Sequence, residues 1–160
     1  MTGVQTCALP ISAQFAVDLS AALKDAVSRG LPLHFITEFE IYRPRLFWFN
    51  KKAASGHMEW RLSYYALTRQ YRLNSASGSE SYATLDEAIT QMTALRDWPV
   101  TTIDRLDAGE EYIVRVRMRL DTAQLPKPFQ ITALTDSDWN PQSEWKGLSF
   151  VVPTPPTPAP

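Results

Sequence analysis

The stretch EYIVRVRMRL, from Glu111 to Leu120, is the clearest strand pattern in the chain. Its apolar residues occupy every second position, and arginines occupy three of the positions between them. Side chains of a β-strand point alternately to opposite faces, so this pattern predicts a strand with one buried face and one solvated face. The solvated face carries Arg115, Arg117 and Arg119.

The same alternation predicts further strands upstream, at residues 31–42, 58–64 and 69–74. The interval between the last two is short enough for a hairpin, so we expect them to be antiparallel neighbours. Two shorter strands are predicted at Phe129–Leu134 and Leu148–Val152.

Two short helices are predicted between these strands. The first covers Val17–Gly30, with Ser20 as its N-cap. The second begins with the capping box Thr84-Leu-Asp-Glu87 and is stopped at Trp98-Pro99. Strands at hairpin spacing with only two helices favour an α+β fold, an antiparallel β-rich and sandwich-like domain, over a parallel βαβ fold.

The chain divides into three segments by composition. Residues 1–12 look like translated sequencing adapter, and we expect them to be non-native, with the natural start of the protein missing. Residues 13–152 are predicted to form a single β-rich domain. Residues 153–160 are rich in proline and are expected to be a disordered tail.

Charge and composition narrow the classes of partner and cofactor. Lysine and arginine number 16 against 17 acidic residues, and a net charge of −1 gives no electrostatic case for nucleic acid. The single cysteine, Cys7, excludes a disulfide within the chain. Neither His34 nor His57 has a second ligand at metal-binding spacing, so no metal or other cofactor is expected. No stretch has the length of a transmembrane helix.

Glu38 and Glu40 are the carboxylates best placed for catalysis. As i, i+2 residues of one strand they would share a face about 6–7 Å apart, a separation compatible with acid–base chemistry in a hydrolase. The commoner arrangement is a solvated face with ion pairs to arginines such as Arg115 and Arg117, which we favour. The chain also lacks a Gly-x-Ser-x-Gly motif and a glycine-rich phosphate loop. The sequence therefore favours a protein that is not an enzyme.

The segment RPRLFWF, from Arg43 to Phe49, is the candidate binding surface. In an extended segment, at most half of the aromatic run can face a core, so the rest is available as a sugar-stacking, peptide-binding or membrane-interface surface. The alternative is that the rings are buried as a second small core. The candidate binding residues are Arg43, Arg45, Phe47, Trp48 and Phe49.

Two long motifs, Leu62–Leu73 (LSYYALTRQYRL) and Leu120–Gln130 (LDTAQLPKPFQ), resemble the bacterial domain-of-unknown-function family 4390. Further matches are Arg29–Leu33, Arg43–Arg45 with Trp48, Arg96–Trp98 and Asp138–Asn140, and the likeness covers roughly residues 15–150. Members of this family are also labelled proline-rich signal-peptide proteins. The resemblance implies a signal peptide or anchor, export to the periplasm, and genes near a nitrogen-regulation-type two-component sensor system. It implies no catalytic residues.

These observations lead to two expectations of function. The first is a non-enzymatic domain of the bacterial cell envelope that serves as an accessory or interaction module for an unknown protein partner. The alternative is a carbohydrate- or peptidoglycan-binding module that uses Trp48 and the neighbouring rings for stacking.

Overall fold

The structure is a computed structural model that describes residues 8–44, 51–102 and 106–152. The proline-rich tail, residues 153–160, and most of the predicted binding segment lie outside these ranges. The described strands all pair in antiparallel fashion, which confirms the predicted α+β, β-rich class.

The described residues form eight strands and three α-helices. Their bounds are β1 Ala8–Gln14, α1 Ala21–Ser28, β2 Leu33–Arg43, β3 Lys51–Tyr65, β4 Gln70–Ser75, β5 Gly78–Tyr82, α2 Leu85–Thr93, β6 Ala94–Thr102, β7 Glu111–Leu120, α3 Lys127–Thr135 and β8 Lys146–Val151. Six strands form one sheet in the order β5-β4-β3-β2-β7-β8, and β1 pairs with β6 in a separate ribbon.

The centre of the larger sheet is the pair β2 and β7, whose sequences alternate as predicted. Every second residue of β7 is buried, and the same holds for the first nine residues of β2. We call the buried side of this sheet the inner face and the side that carries Glu38 and Arg117 the outer face. The fully buried side chains of the inner face are Leu33, Phe35, Thr37, Ile41, Leu62, Met118 and Leu120.

Two helices and the β1–β6 ribbon cover the inner face, which makes the domain sandwich-like. Helix α1 buries Leu23 and Val27, and α2 buries Ala88 and Met92. The ribbon is joined to the sheet through an edge-to-face contact between Phe39 and Trp98, with ring centroids 5.2 Å apart. All these side chains belong to one hydrophobic core.

The predicted helix caps are present. Ser20 Oγ accepts a hydrogen bond from the Leu23 amide at 3.2 Å, and Thr84 Oγ1 accepts one from the Glu87 amide at 3.2 Å. Gly30 has a φ of +107°, a conformation that side-chain-bearing residues disfavour, which explains a glycine just after α1. Helix α1 is shorter at its start than predicted, because Val17 and Leu19 are buried in non-helical backbone.

The strand predicted at Phe129–Leu134 is wrong, because these residues lie in helix α3. Pro126 is the N-cap of α3, and Pro128 lies in its first turn. The amides of a first turn have no partner within the helix, so a proline there removes no helical hydrogen bond. The Phe129 ring stacks on Trp139 with centroids 4.8 Å apart, and Ala133 is buried on the same helix. This packing against the chain that follows decides the helix.

The predicted end of the second helix is also wrong, and β6 was not predicted at all. Helix α2 ends at Thr93, whose carbonyl accepts a hydrogen bond from the Phe15 amide at 2.9 Å. The next nine residues form β6, which pairs with β1, instead of continuing the helix. Strand β1 includes residues 8–12 of the adapter-like segment; the non-native origin of residues 1–12 stays a prediction.

We predict that Gly56→Ala destabilises the domain. A Cβ atom at this position would lie 2.6 Å from Cε1 of Phe39, whose ring is held by Trp98 and is nearly buried. The ring must shift or the strands must separate, so the free energy of unfolding should fall by about 1–3 kcal/mol in a urea denaturation series.

The control for this substitution is Ser55→Ala, at the neighbouring exposed position of β3. It should change the free energy of unfolding by less than about 0.5 kcal/mol. Equal stability of the two variants would show that the Phe39 ring is not held as described.

Candidate functional site

The outer face of the sheet carries ion pairs between glutamates of β2 and arginines of β7. The register of β2 and β7 places Glu38 opposite Arg117, Glu40 opposite Arg115 and Ile36 opposite Arg119. Because residues that face each other on antiparallel strands are close neighbours, each glutamate meets an arginine directly across the strand pair. The pairing of the glutamates with the arginines therefore follows from strand register and alternation.

Glu38 is held by two arginines. Arg117 donates two hydrogen bonds to Glu38 Oε1, from Nη2 and from Nε, the latter at 2.8 Å. Nε of Arg119 lies 3.4 Å from the same oxygen. All three side chains are at least two thirds buried, so the charges are neutralised within the face.

Glu40 has still more partners. Arg115 donates to Glu40 Oε2 from Nε at 2.9 Å and from Nη2 at 2.6 Å, the Tyr42 hydroxyl donates to the same oxygen, and Lys52 Nζ lies 3.3 Å from Oε1. Partial burial acts to raise the pKa of Glu40. The hydrogen bonds from Tyr42, Arg115 and Lys52 outweigh it and lower the pKa from 4.5 to about 2.

Aromatic rings cover the arginines. The Arg115 guanidinium lies 4.3 Å from the ring centroid of Trp145 and 4.9 Å from that of Tyr42, and the Arg117 guanidinium lies 4.4 Å from the same Trp145 ring. Cation–π contacts of this kind stabilise a positive charge that is partly removed from water. The hydrogen bond to Glu40 raises the pKa of Arg115, so Arg115 keeps its positive charge.

Residues 141–143 explain how Trp145 reaches this position. The Leu120 amide donates to the Pro141 carbonyl at 3.0 Å, and Ser143 exchanges hydrogen bonds with Met118 through both its amide and its hydroxyl. The chain therefore runs along β7 before β8 begins, and Trp145 lies over the neighbouring arginines.

Trp145 and Tyr42 were not predicted as part of the site. Tyr42 lies two residues after Glu40 on the same strand, a signal that could have found it; Trp145 gives no such signal.

The arrangement favours the ion-paired face over an acid–base pair. A shallow depression of about 310 Å³ does lie beside Glu38 and Glu40, and Lys52, His57 and Arg119 also line it. A carboxylate with a pKa near 2 carries no proton to donate at neutral pH, and Glu38 is occupied by two arginines. The predicted pairing of the arginine stripe with Glu38 and Glu40 is confirmed.

The two histidines also lie on the outer face. Nε2 of His57 is 3.7 Å from Glu59 Oε1, and His34 lies opposite Arg61 in the register. Both line a wide groove of about 700 Å³ with Arg61 and Asn74. Over the described ranges, no group of three or more His, Cys, Asp or Glu side chains is arranged to hold a metal ion.

Of the five predicted binding residues, the structure describes Arg43. Its guanidinium lies 3.1 Å from Asp107 and 3.0 Å from Glu110, which joins the end of β2 to the loop before β7. Arg45, Phe47, Trp48 and Phe49 lie outside the described residues, so their role in binding stays a prediction.

The four described tryptophans have partners within the protein. Trp60 Nε1 donates to Thr37 Oγ1 at 3.0 Å, Trp98 packs on Phe39, Trp139 stacks on Phe129, and Trp145 covers two arginines. The sugar-stacking hypothesis names Trp48 and the neighbouring rings, which lie outside the described residues, so it stays a prediction.

We predict that Glu40→Gln destabilises the domain at neutral pH by about 1–2 kcal/mol, because Arg115 and Lys52 lose their shared anion. The folded-state pKa is lowered, so the stabilisation by the carboxylate is complete above pH 4.5 and is lost as the pH falls toward 2. Wild type and variant should therefore converge in acid, as measured by thermal denaturation at a series of pH values.

Glu59→Gln is the control on the same face, since Glu59 is exposed and its contact with His57 is long. It should leave stability unchanged at every pH. A gap between wild type and Glu40→Gln that persists unchanged at pH 2 would contradict the assigned pairing.

Comparison with known proteins agrees with the motif resemblance. The family model described as Domain of unknown function (DUF4390) matches residues 4–149. No curated protein and no solved structure shows significant similarity to the chain. Within the described residues, each helix is too short or too polar to cross a lipid bilayer. Since the match covers most of the sequence, the chain belongs to the DUF4390 family.

Proposed function

We propose that this domain is a non-enzymatic interaction module of the bacterial cell envelope, located in the periplasm, which binds a protein partner. The observation that carries the proposal is the position of the exposed apolar side chains. Of the six large ones among the described residues, four lie between residues 131 and 151: Ile131, Leu134, Leu148 and Val151. Exposed apolar side chains that lie close together commonly mark sites of protein association, and Ile131 and Leu134 lie three residues apart on helix α3.

Helix α3 presents the clearest such surface. Ile131 and Leu134 are 68% and 84% exposed, and three residues apart on a helix they lie on one side. They border a shallow groove of about 410 Å³ with Lys127 and Gln130. An apolar helix face beside a groove with one cationic side chain suits an amphipathic segment of a partner.

Other side chains of α3 attach the helix firmly to the rest of the domain, so the face is preformed. Phe129 stacks on Trp139, and Gln130 Nε2 donates to the carbonyls of Ala123 and Leu125 at 3.1 and 2.7 Å. Ser20 Oγ at the start of α1 donates to the Asp138 carbonyl at 2.8 Å. A rigid surface loses little conformational entropy on binding, which favours recognition.

Two parts of the proposal, the non-enzymatic role and the location in the periplasm, rest on other observations. Glu38, Glu40 and the arginines of the outer face are already paired, which supports a role other than catalysis. The location in the periplasm is supported by the family resemblance, because such proteins usually start with a signal peptide or a membrane anchor.

We predict that the double variant Ile131→Glu/Leu134→Glu loses capture of its partner from envelope extracts of the source bacterium, because it places two negative charges on an apolar contact surface. Both side chains are exposed, so the melting temperature should stay close to that of wild type. Capture is measured by quantitative comparison of proteins retained on the immobilised full chain.

Leu67→Glu is the matched control. Leu67 is fully exposed in the β3–β4 hairpin, so the substitution exchanges an exposed apolar side chain for one negative charge outside α3. It should retain the wild-type set of partners. If the α3 variant captures the same proteins in the same amounts as the control, α3 is not the contact surface.

The same assay tests the predicted segment that follows Arg43. Alanine at Arg45, Phe47, Trp48 and Phe49 together should also reduce capture if these side chains contact the partner. The carbohydrate alternative predicts a different result: muropeptides should quench the tryptophan emission of wild type, and Trp48→Phe should abolish that response. An unchanged emission spectrum at millimolar muropeptide would exclude sugar stacking.

A further inference from the structure

Strand β8 ends the six-stranded sheet with an edge that no other described strand covers. The Val152 amide donates to the Glu110 carbonyl at 3.0 Å, and the Gly109 amide donates to the Val152 carbonyl at 2.9 Å. Backbone groups of successive residues in an antiparallel strand alternate in direction. The amides and carbonyls of Gly147, Ser149 and Val151 therefore point to the uncovered edge.

This edge lacks the usual protection against strand pairing. Natural edge strands place lysines or prolines where another chain would pair. In β8 the one charged residue is Lys146, and its ammonium donates to the Gln14 carbonyl of β1, so it is directed away from the edge. Leu148 and Val151 are 68% and 61% exposed.

We propose that β8 pairs with β8 of a second copy of this chain, antiparallel about a two-fold axis through Ser149. In this register Ser149 faces the partner's Ser149, and Gly147 faces the partner's Val151. Leu148 faces the partner's Phe150. The outward backbone groups of both strands then meet, as an antiparallel ladder requires.

The sequence of β8 is self-complementary in that register. Leucine meets phenylalanine twice on the inner side, and the branched Val151 side chain passes over a glycine on the outer side. No charge faces a like charge among the paired residues 147–151. Cross-strand pairs of this type each stabilise a sheet modestly.

A cleft beside β8 lies on the inner side of the sheet, where Leu148 and the partner's Phe150 would pair. It measures about 360 Å³, and its sheet side is lined by Val114, Val116, Leu148 and Phe150. Pairing of β8 places the partner's Leu148 beside Phe150 at the open side of this cleft. Apolar surface that is wet in the monomer is then removed from water.

The sequence of the chain's own tail does not fit this edge. Five of the eight residues from 153 to 160 are prolines, which have no amide proton to donate. A second copy supplies a regular strand with complementary side chains. Because one pair of edge strands buries less surface than a standard interface, the dimer should dissociate on dilution.

The test compares Ser149→Pro with Ser149→Ala by sedimentation velocity over a wide range of concentration of the full chain. The amide of Ser149 points to the uncovered edge, so proline removes a hydrogen bond to the partner and none within the monomer. Alanine keeps the amide. Wild type and Ser149→Ala should dimerise as concentration rises, and Ser149→Pro should stay monomeric with an unchanged circular dichroism spectrum.

A second variant covers the case in which Ser149→Pro fails to fold. Leu148→Lys is tolerated in the monomer because the side chain is largely exposed, but in the dimer it faces the partner's Phe150. It should abolish dimerisation. Wild type that remains monomeric at the highest concentration, or a dimer that survives in Leu148→Lys, overturns the proposal.

Cross-linking checks the register. In a Cys7→Ser background, Ser149→Cys places two thiols at the two-fold axis, within the Cα separation that a disulfide needs. Mild oxidation should give a covalent dimer, whereas Leu67→Cys, at an exposed hairpin position, should not. A dimer in solution with no disulfide at position 149 contradicts this register. This result is independent of the α3 experiment, because neither Ile131 nor Leu134 lies in β8.

Discussion

The pairing of β2 with β7 is the constraint on which the rest of this domain depends. Eight consecutive residues of β2, Phe35 to Tyr42, face Leu120 to Ile113 of β7. That one register places the apolar side chains of both strands in the core and brings the glutamates and arginines together outside. A shift by one residue would turn the arginines toward the core, so the hydrophobic effect and the ion pairs both select the same alignment.

Much of this architecture could be predicted because it depends on local pattern. The alternation in β2 and β7, the caps at Ser20 and Thr84, and the arginine pairing of Glu38 and Glu40 follow from spacing alone. Helix α3 could not be predicted in this way, because its apolar residues fit a strand as well as a helix, and the stacking of Phe129 on Trp139 decides between them. Strand β6 likewise depends on a distant partner, β1.

The candidate site divides along the same line. The charged part was predictable because both strands alternate regularly, whereas Trp145 reaches it through the hydrogen bonds of residues 141–143 with β7. A contact made by a residue in a loop between regular elements produces no periodic pattern in the sequence. For the segment Arg43–Phe49, composition alone indicates a binding surface. The contacts of Arg43 with Asp107 and Glu110 could not be predicted, because they join residues far apart in the sequence.

The shared use of Glu40 has a consequence for how this sequence can change over time. Its carboxylate serves Tyr42 on its own strand, Lys52 on β3 and Arg115 on β7, and Arg115 in turn lies under Trp145. Replacement of Glu40 leaves Arg115 and Lys52 without their shared carboxylate, and replacement of Arg115 removes the cation that donates two hydrogen bonds to Glu40. In related chains, we therefore expect substitutions at these positions to be correlated, although the positions are far apart in the sequence.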